Sequence, residues 1–147
     1  MASNTPVTDA LKRVLANSYM LYLKTQNFHW NVTGPNFKSL HELFEMQYNE
    51  LAAAVDLIAE HIRTLHEKAP GTFAAFTKLS EIKDGDEDAS AKDMVSQLAK
   101  DNRKMCKILK DAIDKADTAE DPASSDMLVD RLRAHEKAAW MLEATAS

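Results

Sequence analysis

The sequence predicts an all-α fold, a four-helix bundle whose second and third long helices are joined by a long crossover carrying a short extra helix. Three observations predict it. The three glycines and four prolines fall only at Pro6, Gly34, Pro35, Pro70, Gly71, Gly85 and Pro122, leaving long uninterrupted stretches between them; residues of this kind mark helix boundaries. Within those stretches the apolar residues recur at helical period, and no segment carries a strand signal. The chain between Lys68 and Ala89 is long enough to cross the bundle, which would let the second and third long helices run parallel.

The first helix is expected over about 8–32, with Thr8 as N-cap, Asp9 in the first turn and a seven-residue recurrence of Val14, Leu21 and Phe28 beside Leu15 and Tyr22. The second, over about 36–68, carries Leu40, Leu43, Phe44, Leu51, Val55, Ile58, Ile62 and Leu65 on one side. A short helix over about 72–79 places Phe73, Phe76 and Leu79 together, and the segment from Lys83 to Asp88 reads as a solvated turn. The next long helix, about 90–116, has the stripe Val95, Leu98, Met105, Leu109, Ala112 and Ile113. The last, about 122–145, opens with Asp121 as N-cap and Pro122 at the first helical position, then Leu128, Leu132, Ala139 and Leu142. The methionines at 20, 46, 94, 105, 127 and 141 are expected to pack. We read residues 1–147 as one domain, since the length suits a single core and no composition break divides it.

Composition narrows the function. At 45% hydrophobic and 28% charged residues, with no apolar run near the roughly 20 residues of a membrane span, the chain is expected to be soluble. Its start lacks the basic and apolar regions of a secretion signal, and Cys106 has no partner for a disulfide, so a cytoplasmic location is expected. A net charge of -5 argues against a general nucleic-acid binder, because such proteins displace counterions from phosphates with excess cations. A local basic patch remains compatible with that balance.

The chemistry-bearing residues lie mainly on the second long helix. At 100° per residue, His41, Glu45, Tyr48, Ala52, Asp56 and Glu60 form a stripe about 120° away from the apolar face. Imidazole and carboxylate together suit a divalent ion such as iron or zinc, and both His41/Glu45 and Asp56/Glu60 have the i, i+4 spacing that can direct two ligands to one metal. The two half-sites cannot serve one ion within one chain, because His41 to Asp56 spans about 22 Å of helix rise. Antiparallel pairing of two such helices about a two-fold axis would bring unlike halves together and generate two identical sites. His29, near the end of the first helix, would join from beside the turn. The small residues Ala52, Ala53 and Ala54 would let the two helices approach closely. None of the five histidines follows a Glu by three residues, so the Glu-x-x-His motif of an intra-bundle di-iron site is missing.

The segments Asn27-Phe-His-Trp-Asn-Val, Phe37-Lys-Ser-Leu-His-Glu-Leu-Phe-Glu, Asp56-Leu-Ile-Ala-Glu60, Ala69-Pro-Gly-Thr-Phe and His135-Glu-Lys-Ala-Ala-Trp-Met-Leu142 together resemble the Dps family, the mini-ferritins of bacteria. The resemblance spans nearly the whole chain. It implies a ferritin-like bundle assembled as a hollow homododecamer, with ferroxidase sites at the two-fold interfaces. His29 and His41 would come from one subunit and Asp56 and Glu60 from the other, with Glu45 a further or supporting ligand and Trp30 beside the site. The implied activity is oxidation of Fe(II), preferably by hydrogen peroxide rather than oxygen, with ferric mineral stored in the cavity and oxidative damage limited. Zinc or another divalent ion could substitute for iron. Asp121, Asp126 and Asp130 match positions lining an iron-entry pore in similar proteins, and such an acidic funnel would concentrate Fe(II).

Other residues carry blander expectations. His135 falls on the packed side of the last helix and is read as a hydrogen-bonded structural histidine. His61 and His66 show no usable pattern. Cys106 falls off the main apolar stripe with no adjacent base, so it is not expected to be a nucleophile. The residues before the first helix hold no Lys or Arg, and the end, Glu143-Ala-Thr-Ala-Ser147, is neutral or acidic. DNA binding by basic tails is therefore not expected, and binding of any kind is expected to be weak.

Overall fold

The structure, a computed structural model, describes residues 5–146. Five helices follow one another: α1 (Thr5–Asn31), α2 (Phe37–Thr64), α3 (Phe73–Leu79), α4 (Ala91–Thr118) and α5 (Pro122–Ala146), and no strand occurs among the described residues. The tail residues 1–4 and 147, included in the reading of non-basic ends, lie outside the described residues.

Two boundaries differ from the sequence expectation. Thr8 is not a cap: α1 already includes Thr5, Pro6 is tolerated in the opening turn where its missing N–H has little to lose, and Thr8 is buried with its hydroxyl on the Thr5 carbonyl and Glu67. The second long helix ends at Thr64 rather than near Lys68, because His66 adopts φ 68°. Its N–H reaches the Arg63 carbonyl at 3.0 Å and the next N–H reaches Ile62 at 3.4 Å, the paired bonds of a Schellman stop normally built on glycine. The same device ends α4, with Glu120 at φ 56° and bonds from Glu120 to Asp117 and from Asp121 to Ala116. By contrast, the starts follow their capping residues. Ser90 accepts from the Asp93 N–H at 3.1 Å, Thr72 from Ala75 at 3.1 Å, and Asp121 from Ser124 at 3.1 Å.

Cross-helix partners set the direction of each helix. Arg13 meets Asp111 and Lys24 meets Asp101, so α1 and α4 run antiparallel; Glu50 meets Arg131 and His61 meets Ser124, so α2 and α5 do as well. With α1 and α2 forming a hairpin, α2 and α4 are parallel, as the long crossover requires. The crossover is pinned to α1: Asn27 donates to the Gly85 carbonyl at 3.1 Å, and a Cβ at Gly85 would lie 2.7 Å from the Phe28 ring. Glycine is needed there for close approach. On α3 only Phe76 is fully buried; Phe73 is 76% exposed, contrary to the expected shared face, because a seven-residue helix leaning on α1 covers one side only. Met46 is 49% exposed and does not pack in the bundle, whereas Met94 and Met105 do. Cys106 is buried, with burial first and Glu136 second pushing its thiol up, which keeps it protonated and unreactive.

Where α2, α4 and α5 meet, the apolar packing gives way to a local polar cluster. Arg131, buried, forms an ion pair with Glu50, and its Nη2 also reaches His135 Nε2 at 3.2 Å. His135 Nδ1 donates to Asn102 Oδ1 at 2.8 Å. With both nitrogens occupied, His135 is structural, as its position indicated. Burial and then the Arg131 charge hold its pKa down to about 3, against an ordinary 6.5.

Two outcomes follow for stability. The unfolded imidazole takes a proton below pH 6.5 while the folded one stays neutral to about pH 3, so acidification favours unfolding throughout that window. Parent protein should lose up to about 1.4 kcal/mol per pH unit there from this group, and His135→Gln should show a shallower slope in urea unfolding measured across pH. Glu120→Gly should raise the melting temperature through about 1 kcal/mol of relieved left-handed strain, read by thermal unfolding at neutral pH.

Candidate metal centre

The turn between α1 and α2 places the site. Gly34 has φ 116°, a conformation that side chains disfavour, and its carbonyl accepts from the Phe37 N–H at 3.1 Å. The chain thereby reverses and sets the last turn of α1 beside the first turns of α2. Carbonyls in a last helical turn lack intrahelical partners, and His41 supplies one: its Nδ1 donates to the His29 carbonyl at 2.7 Å. His29 Nδ1 donates in return to the His41 carbonyl at 2.7 Å. A carbonyl can only accept, so each Nδ1 carries a hydrogen; in the neutral ring the lone pair is then on Nε2, the form in which imidazole binds a metal.

The rings are stacked with centroids 3.7 Å apart and 17° between planes. Phe37 stacks on His41 at 5.0 Å, and Tyr48 meets His29 edge-on at 5.1 Å. Packing and hydrogen bonding thus hold both imidazoles in one orientation. Glu45, one turn beyond His41, brings Oε1 to 3.6 Å from His29 Nε2. Ligand atoms of His29, His41 and Glu45 lie within 4.8 Å of one another, the one such group of three among the described residues. Bonds of about 2 Å to a shared ion would draw them slightly closer, which the half-exposed Glu45 side chain can accommodate by rotation.

Asp56 and Glu60 are exposed and lie elsewhere. About 22 Å of helix separates Asp56 from His41, so the chain gathers three of the five proposed ligands and leaves the other two as a separate pair. The Glu60 carboxyl is held above its ordinary range, first by a hydrogen bond with Asp56 and then by repulsion from its charge. A divalent cation would relieve that repulsion. The same helix surface carries Met46, Ala53 and Leu57, the last 64% exposed, uncovered by the chain's own bundle.

The acidic residues read as a pore have local partners as well. Asp121 caps α5 and accepts from the Ser124 hydroxyl at 2.6 Å, while His61 Nε2 lies 2.8 Å from that same oxygen. Asp130 pairs with Arg133 at 2.8 Å, and Asp126 is exposed. Trp30 is 60% exposed. Sequence inspection missed the roles of His61 and His66, one of which depends on a residue far along the chain and the other on a backbone angle. Tyr48 was visible on the metal stripe, but not its contact with His29. In the bundle interior, the Arg131 cation opposes any bound metal, consistent with the missing Glu-x-x-His motif.

Comparison with known proteins agrees with this architecture. The family model for a ferritin-like domain matches residues 8–147. A DNA protection during starvation protein from Brevibacillus brevis is 44% identical over 135 residues, covering 91% of this chain and 90% of the relative. The crystal structure of a Dps protein from Bacillus brevis superposes with a TM-score of 0.96 at 40% identity, over the full length of both chains. A Dps protein from Vibrio cholerae, described as a member of a broad superfamily of ferritin-like diiron-carboxylate proteins, gives a TM-score of 0.94 at 28% identity, covering 98% of this chain and 91% of that one.

Proposed function

Because the chain belongs to the Dps group of the ferritin-like family, we propose that it is a ferroxidase that oxidises Fe(II) and stores the ferric product inside a hollow homododecamer, limiting oxidative damage. The observation that carries this reading is the exchange of hydrogen bonds between His29 and His41, which engages both Nδ1 atoms and leaves Nε2 of each ring for a metal, in one group with the Glu45 carboxylate. Iron is here the substrate. His29, His41 and Glu45 bind it from one subunit, while Asp56 and Glu60 of a second copy complete the site across a two-fold axis. Supporting this division are the about 22 Å along α2 between the two groups and the uncovered Met46 and Ala53 between them, with Leu57 uncovered beside Asp56. A mixed imidazole and carboxylate set binds Fe(II) and, with added carboxylates, stabilises Fe(III), so it lowers the cost of losing an electron. Zinc can occupy the same ligands without redox chemistry.

Hydrogen peroxide is the preferred oxidant in this reading, and oxygen the slower one. Two Fe(II) ions surrender one electron each to one peroxide, and hydrolysis of the ferric ions yields mineral and protons. Asp126 and Asp130 contribute to an acidic entry path, with Asp121 held at its margin by the cap it forms on α5. No helix among the described residues is long and apolar enough to cross a membrane, in keeping with action in the bacterial cytoplasm or nucleoid.

A second reading, DNA binding, has one observation in its favour. Along the exposed face of α4 lie Lys100, Arg103, Lys104, Lys107 and Lys110, spanning about 15 Å of helix; Arg103 pairs with Glu143, and the four lysines form no ion pair among the described residues. Against it stands the net charge of -5 per chain, which repels phosphate at long range.

Anaerobic Fe(II) loading of the size-fractionated oligomer, followed by peroxide or oxygen, tests the first reading. Oxidation should be faster with peroxide and at least about tenfold slower in a His29→Ala/His41→Ala variant; equal rates in variant and parent would remove these histidines from the mechanism. In a gel shift at moderate salt without Mg(II), plasmid should migrate unretarded. Clear retardation abolished by Lys104→Glu/Lys107→Glu would place DNA binding on α4 and favour the second reading.

A further inference from the structure

The chain has three tyrosines, and all three belong to one file of ring contacts that begins at the metal cluster. Tyr48 meets His29 at 5.1 Å between centroids, Tyr22 meets Tyr48 at 5.9 Å, and Tyr19 meets Tyr22 at 5.8 Å, each edge to face. The file stops at phenylalanine on both sides, with Phe37 stacked on His41 and Phe76 against Tyr19 at 5.0 Å. Such spacing places ring edges in van der Waals contact, close enough for electrons to pass between neighbouring phenols. Phenylalanine lacks the hydroxyl that makes a phenol readily oxidised, so the file of readily oxidised rings in contact ends with the three tyrosines. All three are half-buried, which shelters a radical yet leaves water within reach of the phenolic proton. Tyr22 Oη accepts from Gln26 Nε2 at 3.4 Å, leaving its own hydrogen free to depart.

We propose that Tyr48, Tyr22 and Tyr19 form a one-electron reservoir for the Fe(II) oxidation on which this inference rests. Peroxide takes two electrons, whereas one Fe(II) gives one. When a single Fe(II) reduces peroxide, the O–O bond breaks and leaves Fe(III), hydroxide and a hydroxyl radical. Tyr48 gives that radical its phenolic hydrogen, electron and proton together, so the radical becomes water and Tyr48 a neutral phenoxyl. Tyr22, and then Tyr19, can pass an electron back toward Tyr48; at each transfer the donor phenol releases a proton to water and the phenoxyl it reduces takes one up. A second Fe(II) arriving at His29, His41 and Glu45 returns the electron through Tyr48 and becomes Fe(III), with a proton drawn from water. The cycle closes at two Fe(II) per peroxide, and the hydroxyl radical never leaves the site.

The test uses the assembled full-length protein, loaded anaerobically with limiting Fe(II), mixed with peroxide and freeze-quenched for electron paramagnetic resonance. A tyrosyl signal is expected that narrows in protein made with ring-deuterated tyrosine and is discharged by a second addition of Fe(II). Tyr48→Phe, which keeps the ring, should lose the signal and increase spin-trapped hydroxyl radical. Tyr19→Phe/Tyr22→Phe should retain a signal confined to Tyr48, with a changed line shape. Ferric absorbance is recorded on the same samples. Fe(III) formed in the parent without a tyrosyl signal, or an unchanged signal in Tyr48→Phe, overturns the reservoir and leaves the ferroxidase reading standing. Absence of Fe(III) overturns both.

Discussion

Two hydrogen bonds, from each Nδ1 of His29 and His41 to the other's backbone carbonyl, tie α1 to α2 at the turn that joins them. They satisfy a carbonyl in the last turn of α1, register α1 against α2, and select the imidazole tautomer. The turn at Gly34 makes the exchange possible, since only a reversal this tight sets the last turn of one helix beside the opening turns of the next. Because each histidine orients the other, the pair is organised before any ion arrives. An ion entering it would meet two imidazoles whose rotational freedom is already spent, with only Glu45 left to turn, a condition that favours tight binding.

The bundle interior explains why the candidate metal ligands lie outside it. Between α2, α4 and α5, a region that could accommodate ligands in a four-helix bundle, the chain places Arg131, Glu50, His135 and Asn102 in a linked network. A buried guanidinium repels a cation, and a histidine using both nitrogens has none to offer. The carboxylates of α2 point outward instead, beside apolar side chains that the chain's own helices leave uncovered. A ligand set displayed on an outer face is incomplete in isolation, so under the proposed function catalysis and assembly are one event.

Helix ends show local strain accepted for the sake of topology. Both α2 and α4 stop on non-glycine residues in the left-handed region, His66 and Glu120. One stop releases the crossover toward α3; the other turns the chain directly into α5. In each, paired backbone bonds tie off carbonyls that would otherwise be unsatisfied, offsetting much of the cost of the backbone angle.

The fold class, the parallel arrangement of α2 and α4, the cap at Asp121 and the separation of His41 from Asp56 along α2 were all legible in the sequence. They depend on periodicity, on residues that break helices and on rise per residue, which are properties of local chain order. The Thr8 cap was misread, because α1 begins earlier. His29 entered the set from its place beside the turn, and the resemblance assigned it to the same subunit as His41. Tertiary structure alone decided the rest: that His29 and His41 exchange bonds, that His61 serves Ser124, that Phe73 and Met46 stay exposed, and that the three tyrosines fall into one file. Each of these depends on how residues on different elements meet, or on which side of an element its neighbours cover. Helical pattern places a residue on a face, but the distance between two faces is set only when the helices pack.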